Sequence, residues 1–206
     1  MSFGANFAAL PRQAVMAKAT PPSGASQEAI WHAVYDTQTF ASASTTTLTF
    51  FSAVNADKTL SNMEASGQFP SPQSFQIYNI CLDAWTPLAV STSATVTGNL
   101  NDLGLIMQTG RPTWTLTLSS KAYGPYPLTA LHATGGASGF GFSSDGAEIL
   151  QYARNEPSPG WNYFGKIIIP EQVAFNFRLD WAAAQTITAS WLLRLTMMGV
   201  LNRRVV

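Results

Sequence analysis

Charge is what this sequence has least of. Eleven basic and eleven acidic side chains make up 11% of 206 residues and leave a formal net charge of zero. An ordinary soluble domain carries roughly 25% charged residues. A chain this poor in charge yet 46% hydrophobic is not disordered, because disorder needs low hydrophobicity combined with high charge. With no net field, nucleic acid is not drawn in over a distance, and any contact with it has to be local. Few charges also imply that much of the outer surface meets protein rather than water. Copies without net charge do not repel one another, so the composition reads as that of an assembly subunit.

Cysteine is nearly absent. Cys81 stands alone, so no internal disulfide can form and stability must come from packing. Long apolar runs are missing too. The segment 181–200 is interrupted by Gln185, Arg194 and threonines, short of the roughly 18 consecutive apolar residues of a membrane-spanning helix. Ala17-Lys18-Ala19 resembles a signal cleavage site, but Pro11 and Arg12 sit where the apolar stretch of a secretory signal belongs. No Gly-Lys-Ser/Thr phosphate loop occurs, and Gly135 to Gly141 holds no Gly-x-Gly-x-x-Gly set between a strand and a helix. Nucleotide chemistry is therefore not supported.

What is present is organised in two parts. Residues 1–28 are rich in Ala, Ser, Gly and Pro, contain Arg12 and Lys18, and have no acidic residue before Glu28. Pro21-Pro22 followed by Ser23-Gly24 closes this stretch, since proline fixes φ where glycine relaxes it. The reading is a flexible N-terminal arm, 1–28, followed by a single domain, 29–206, with no internal repeat.

The domain alternates short β-branched and aromatic runs with Gly, Pro, Asn and Asp, the pattern of an all-β sandwich or barrel. Eight strands are expected, at 30–35, 45–54, 74–82, 113–119, 127–132, 148–152, 173–179 and 186–197. Thr113 to Leu118 alternates threonine with Trp114, Leu116 and Leu118, and Phe175, Phe177 and Leu179 alternate with Asn176, Arg178 and Asp180. Period-two alternation places one set in a core and the other outside, so Trp114, Leu116, Phe175, Phe177, Trp191 and Leu193 are expected in the core. Leu100, Leu103, Ile106 and Met107 follow a helical period instead. They predict one short helix between 99 and 109, with Asn99 as cap and Gly110 as stop. The stretches 135–146 and 156–160 read as glycine- and proline-rich connectors.

Eight strands with a helix between the third and fourth fit a single eight-stranded jelly-roll β-sandwich. The phrases Leu60 to Pro70 and Pro72 to Ile77, the run Leu105 to Gly110 leading into a strand and then Lys121-Ala122-Tyr123, and Phe175 to Trp181 followed by a last strand ending Gly199 to Arg204 resemble the jelly-roll capsid (coat) proteins of tailless icosahedral bacterial viruses. The body is long enough for one roll, not two. The resemblance implies a capsid subunit that self-assembles into a shell and is found in the virion after assembly in the host cytoplasm. Its partners would be many copies of itself, other capsid proteins, and nucleic acid or an internal membrane touched locally by the arm. It implies no catalytic residue, cofactor or small-molecule substrate.

The residues that could contradict this are few. His32 and His132 are the only histidines, and a nucleophilic pair would need Cys81 beside one of them with Asp83 orienting. A lone cysteine on an apolar strand more commonly packs as a small hydrophobe. Asp145, Glu148 and Glu156 gather near the glycine-rich connector without the ligand ladder of a calcium loop, so no metal site is assigned. The contact candidates are Arg12 and Lys18 in the arm, Phe140 and Phe142 in the glycine-rich stretch, Trp161 and Tyr163 after the second connector, and Arg203 and Arg204 at the C-terminus. Arginine suits bidentate pairing with a neighbour's carboxylates or with phosphates. The competing function is a jelly-roll carbohydrate-binding, lectin-like module in which Trp85, Trp114, Trp161 or Tyr163 stacks on sugar rings.

Overall fold

The computed structural model describes residues 26–85, 102–131, 137–144, 149–155 and 167–205. Among these residues ten strands occur in chain order: β1 (Ser26–Phe40), β2 (Thr47–Phe50), β3 (Ser74–Trp85), β4 (Thr113–Leu118), β5 (Lys121–Pro127), β6 (Ala137–Ser144), β7 (Ile149–Asn155), β8 (Ile167–Ile169), β9 (Phe175–Asp180) and β10 (Trp191–Val205). Eight of them form two antiparallel four-stranded sheets, ordered β1-β10-β3-β8 and β2-β9-β4-β5, while among the described residues β6 and β7 pair with each other alone.

Alternation decides which side of each strand is buried. In β4 Trp114 and Leu116, in β9 Phe175, Phe177 and Leu179, and in β10 Trp191, Leu193, Leu195 and Met197 all point into one shared core. All six residues expected there are buried. Aromatic rings tie the sheets together. Phe69 lies between Phe75 of one sheet and Phe175 of the other at 5.3 and 5.5 Å, while within the second sheet Trp114 stacks on Phe177 at 5.4 Å.

Two buried carboxylates pin the loops. Asp36 accepts from the Phe51 N–H at 2.7 Å and from Gln38, and Asp102 accepts from the Thr188 N–H at 2.9 Å and from Trp191 Nε1 at 3.3 Å. Such groups stay buried because several donors replace the lost water. One glycine is set by close approach. A Cβ on Gly199 would meet the Gln76 carbonyl oxygen at 1.9 Å, at the point where the β10–β3 register shifts.

Several expectations need correction. The body does not start at residue 29, because β1 already includes Ser26, Gln27 and Glu28 and pairs them with Val205, Arg204 and Arg203. The expected strand 127–132 is a one-turn 3₁₀ helix, Leu128–Leu131, following β5. Proline and glycine in Tyr123-Gly124-Pro125-Tyr126-Pro127 mask β5, which as an edge strand tolerates them. The expected strand 148–152 is β7, but it lies outside the two main sheets, and the connector 135–146 contains its partner β6. β8, three isoleucines, completes the first sheet unannounced. The helix is short: helical residues start at 102 and continue as the wide turn Leu105–Thr109, with Gly110 as the stop. Asn99 lies outside the described residues.

Candidate functional site

The outward positions of the β1-β10-β3-β8 sheet form the most distinctive surface of the described chain. β10 is the second strand, and its outward residues are Leu192, Arg194, Thr196, Met198, Val200 and Asn202, all half-buried. Alternation predicts a polar outer face here, but Leu192, Met198 and Val200 make it partly apolar. Cross-strand register sets Trp31 beside Val200, Ala33 beside Met198 and Tyr35 beside Thr196. On the other flank Val200 faces Gln76, which faces Ile168 of β8.

Trp31 is 56% exposed and Ile168 42%, the first being the most exposed large apolar side chain described. Trp31 leans on Tyr78 at 5.7 Å with a 42° tilt. The charged end of this face is tied down. The Arg194 guanidinium lies 4.9 Å from the Tyr35 ring centroid and donates to Thr37 Oγ1 at 3.1 Å and to the Thr59 carbonyl. Burial pushes the Asp83 carboxyl above its usual range, partly countered by Arg194. Burial also raises the Cys81 thiol, with Asp83 adding to the effect.

These positions dispose of the Cys–His arrangement for His32. Cys81 pairs with Thr196 on the outward face, whereas His32 pairs with Gly199 on the inward side of the same sheet, so the sheet separates them. His32 instead lines a cleft of about 140 Å³ at the sandwich end, between Ile30, Val34, Leu201 and Arg203 on one side and Glu64, Gln68 and Phe69 on the other. Among the described residues no group of three or more His, Cys, Asp or Glu side chains could hold a metal ion.

The contact candidates separate. Arg203 is in β10 and its Nε donates to Glu28 Oε2 at 2.8 Å, so this guanidinium already has a carboxylate within its own chain. Arg204 is also in β10, opposite Gln27. Both terminal arginines thus belong to the last strand. Phe140 and Phe142 lie in β6, with their side chains outside the described set. Arg12, Lys18, Trp161 and Tyr163, together with His132, Asp145, Glu148 and Glu156, lie outside the described residues. Trp114, a candidate sugar platform, is buried against Phe177, and Trp85 ends β3 with its side chain outside the described set.

Sequence reasoning missed Trp31 and Tyr78. The available signal was the unbroken apolar stretch Met197-Met198-Gly199-Val200-Leu201, which cannot alternate apolar with polar and therefore requires apolar groups on both faces of a strand. No protein-family model, curated protein or solved structure matches this chain. The geometry alone therefore carries the functional argument.

Proposed function

We propose that the chain is a structural subunit of a protein shell, a single-jelly-roll coat protein whose principal partner is further copies of itself. The strand order supports the jelly-roll reading. Counting only the eight sandwich strands, first pairs with last, second with seventh, third with sixth and fourth with fifth, as expected of an antiparallel ribbon rolled over one core. Fold analogy does not assign function; a surface has to.

The observation that carries the proposal is the partly apolar outward face around Trp31, Tyr78, Met198, Val200 and Ile168 on a chain with only 11% charged residues. Apolar side chains left partly or fully uncovered on one sheet face mark a place where protein can meet protein. Other capsid proteins, and nucleic acid or an internal membrane met by the arm, remain its further partners in this reading, and the virion its location.

The exposed Trp31 ring against half-buried Tyr78 gives the carbohydrate-binding alternative its one specific observation, since aromatic faces stack on sugars. Their 42° tilt does not make the flat row such a platform uses. Light scattering of the purified full chain over a concentration series, with electron microscopy of what forms, tests the proposal. Growth to particles of uniform large mass is expected. A chain that stays monomeric at millimolar concentration while binding an oligosaccharide array overturns it.

A further inference from the structure

A sandwich of two open sheets has four edge strands, and each is a template for another chain unless something blunts it. Three edges here are blunted. β8 has three residues and is followed by Pro170; β2 has four; β5 contains Gly124, Pro125 and Pro127. The fourth, β1, runs for 15 residues without proline. Its register with β10 is uninterrupted from Ser26 to Phe40.

The direction of the backbone groups on β1 is fixed by Asn62. Its Oδ1 accepts from the Tyr35 N–H at 2.8 Å, its Nδ2 donates to the Ala33 carbonyl at 2.8 Å, and its own N–H donates to the Tyr35 carbonyl at 3.2 Å. One asparagine thus fills the place an added strand would take, and shows that odd-numbered residues of β1 present their N–H and C=O groups away from β10. By the same alternation Ala29 and Trp31 do so as well, beyond the reach of Asn62. Trp31 is also the most exposed large apolar side chain described. Among the described residues nothing pairs with this stretch of the β1 edge, and its tryptophan is uncovered; the two coincide at one corner, and an added strand would satisfy both.

We propose that the Gln27–Trp31 edge of β1 pairs antiparallel with the same edge of a second copy, about a two-fold axis at Ala29, joining two four-stranded sheets into one of eight strands. This deepens the shell-subunit reading and rests on it. A two-fold pairing is self-complementary, so one edge suffices for both copies. Ala29 would face the partner subunit's Ala29, where small side chains allow close approach, and Trp31 would face Gln27 of the partner subunit. Glu28, the acidic residue in this stretch, is already neutralised by Arg203, so the pairing opposes no unpaired like charges.

The test uses the full chain and three variants. Ala29→Pro removes an N–H that points away from β10, a position where an edge strand tolerates proline. It should leave circular dichroism and melting close to wild type while weakening dimerisation, read by sedimentation, by roughly tenfold or more. Trp31→Lys should weaken it as well, since an edge lysine blocks strand addition. In a Cys81→Ser background, Ala29→Cys should give an oxidised dimer, because hydrogen-bonded antiparallel partners lie about 5.5 Å apart between Cα atoms, within disulfide reach. Thr39→Cys, with its two copies roughly 60 Å or more apart in this pairing, should give none. Wild-type assembly with no Ala29→Cys cross-link, or with dimerisation unchanged in both Ala29→Pro and Trp31→Lys, overturns the edge pairing and leaves the shell reading standing. A wild-type chain that is monomeric at every concentration overturns both.

Discussion

On the β2-β9-β4-β5 sheet the outward positions of its first three strands are Thr47, Thr49, Asn176, Arg178, Asp180, Thr113, Thr115 and Thr117. On the β1-β10-β3-β8 sheet the corresponding positions hold Trp31, Ala33, Leu192, Met198 and Val200 among the polar ones. Inward, the two sheets are alike, each giving phenylalanine, leucine and a tryptophan to one core. Folding requires only the inward likeness. The outward difference costs solubility without helping the isolated fold, so its origin is sought in what the first sheet meets. The second sheet manages water through threonine hydroxyls and an Arg178–Asp180 pair at 2.7 Å with Thr47 donating to the same aspartate. Both contacts are exposed, so they serve solubility more than stability.

The inward likeness is broken most severely at the aromatic seam. Phe177→Ala, which removes the ring stacked on Trp114 and packed near Phe50 at 6.5 Å, should cost about 3 to 5 kcal/mol in denaturant unfolding. A loss below about 1 kcal/mol would mean that the β9 face is assigned the wrong way round. Next comes the carboxylate that joins the helical turn to the β10 entry. Asp102→Ala leaves the Thr188 N–H and Trp191 Nε1 without their acceptor, and should cost about 1 to 3 kcal/mol. Trp191 near-ultraviolet dichroism should change with it.

The outward difference is sharpened by a pair of shape-conserving exchanges. Val200→Thr, between Trp31 and Gln76, should change stability by no more than about 1 kcal/mol while reducing self-association seen by light scattering. Thr115→Val on the other sheet, beside Arg178, should leave association as it was. Equal effects from both would erase the distinction between the two faces.

How much of this was legible depended on whether each strand has two different faces. β4 and β9 bury one side and wet the other, so Thr113-Trp114-Thr115-Leu116 and Phe175-Asn176-Phe177-Arg178 gave their orientation directly. The expected strand 186–197 stops at Met197 because Met198 and Val200 are apolar on the outward side, which erases the alternation, and the expected strand 30–35 falls short of β1 because Ser26 to Glu28 before it and Asp36 to Thr39 after it are polar on both faces. β5 and β8 lay hidden for local reasons, proline and glycine in one and a length of three residues in the other. Gly139 and Gly141 lack strand propensity, which gives β6 the pattern of a connector. The helical period 99–109 marked a real helical turn but overstated its length. The functional surface was thus illegible for the reason that makes it functional: residues facing another protein look like core. His32 and Cys81 were legible as residues, but which face each occupies is a matter of register, and register needs the partner strands.

The smallest expected effect lies at the polar end of the apolar face. Cys81 and Asp83 sit two residues apart on the outward side of β3, and the thiol is raised first by burial and second by the neighbouring carboxylate. The unfolded chain then loses its thiol proton before the folded one. Stability accordingly falls as pH rises from the ordinary thiol value through the raised folded one. Asp83→Asn removes the second cause and leaves the first. Alkylation of Cys81 by a small reagent should keep a midpoint above that of a free thiol, yet titrate at lower pH than in the wild type, with a faster rate at any pH below the midpoint. The carboxyl of Asp83 is itself raised by burial, so its own contribution to stability declines as pH climbs past the ordinary aspartate range. The amide should abolish that decline without disturbing the Arg194 contacts to Tyr35 and Thr37. An alkylation profile identical in Asp83→Asn and wild type would show that the carboxylate does not reach the thiol. Burial alone would then set the chemistry of this corner, and the face would be more uniformly dry than the Arg194–Asp83 end suggests.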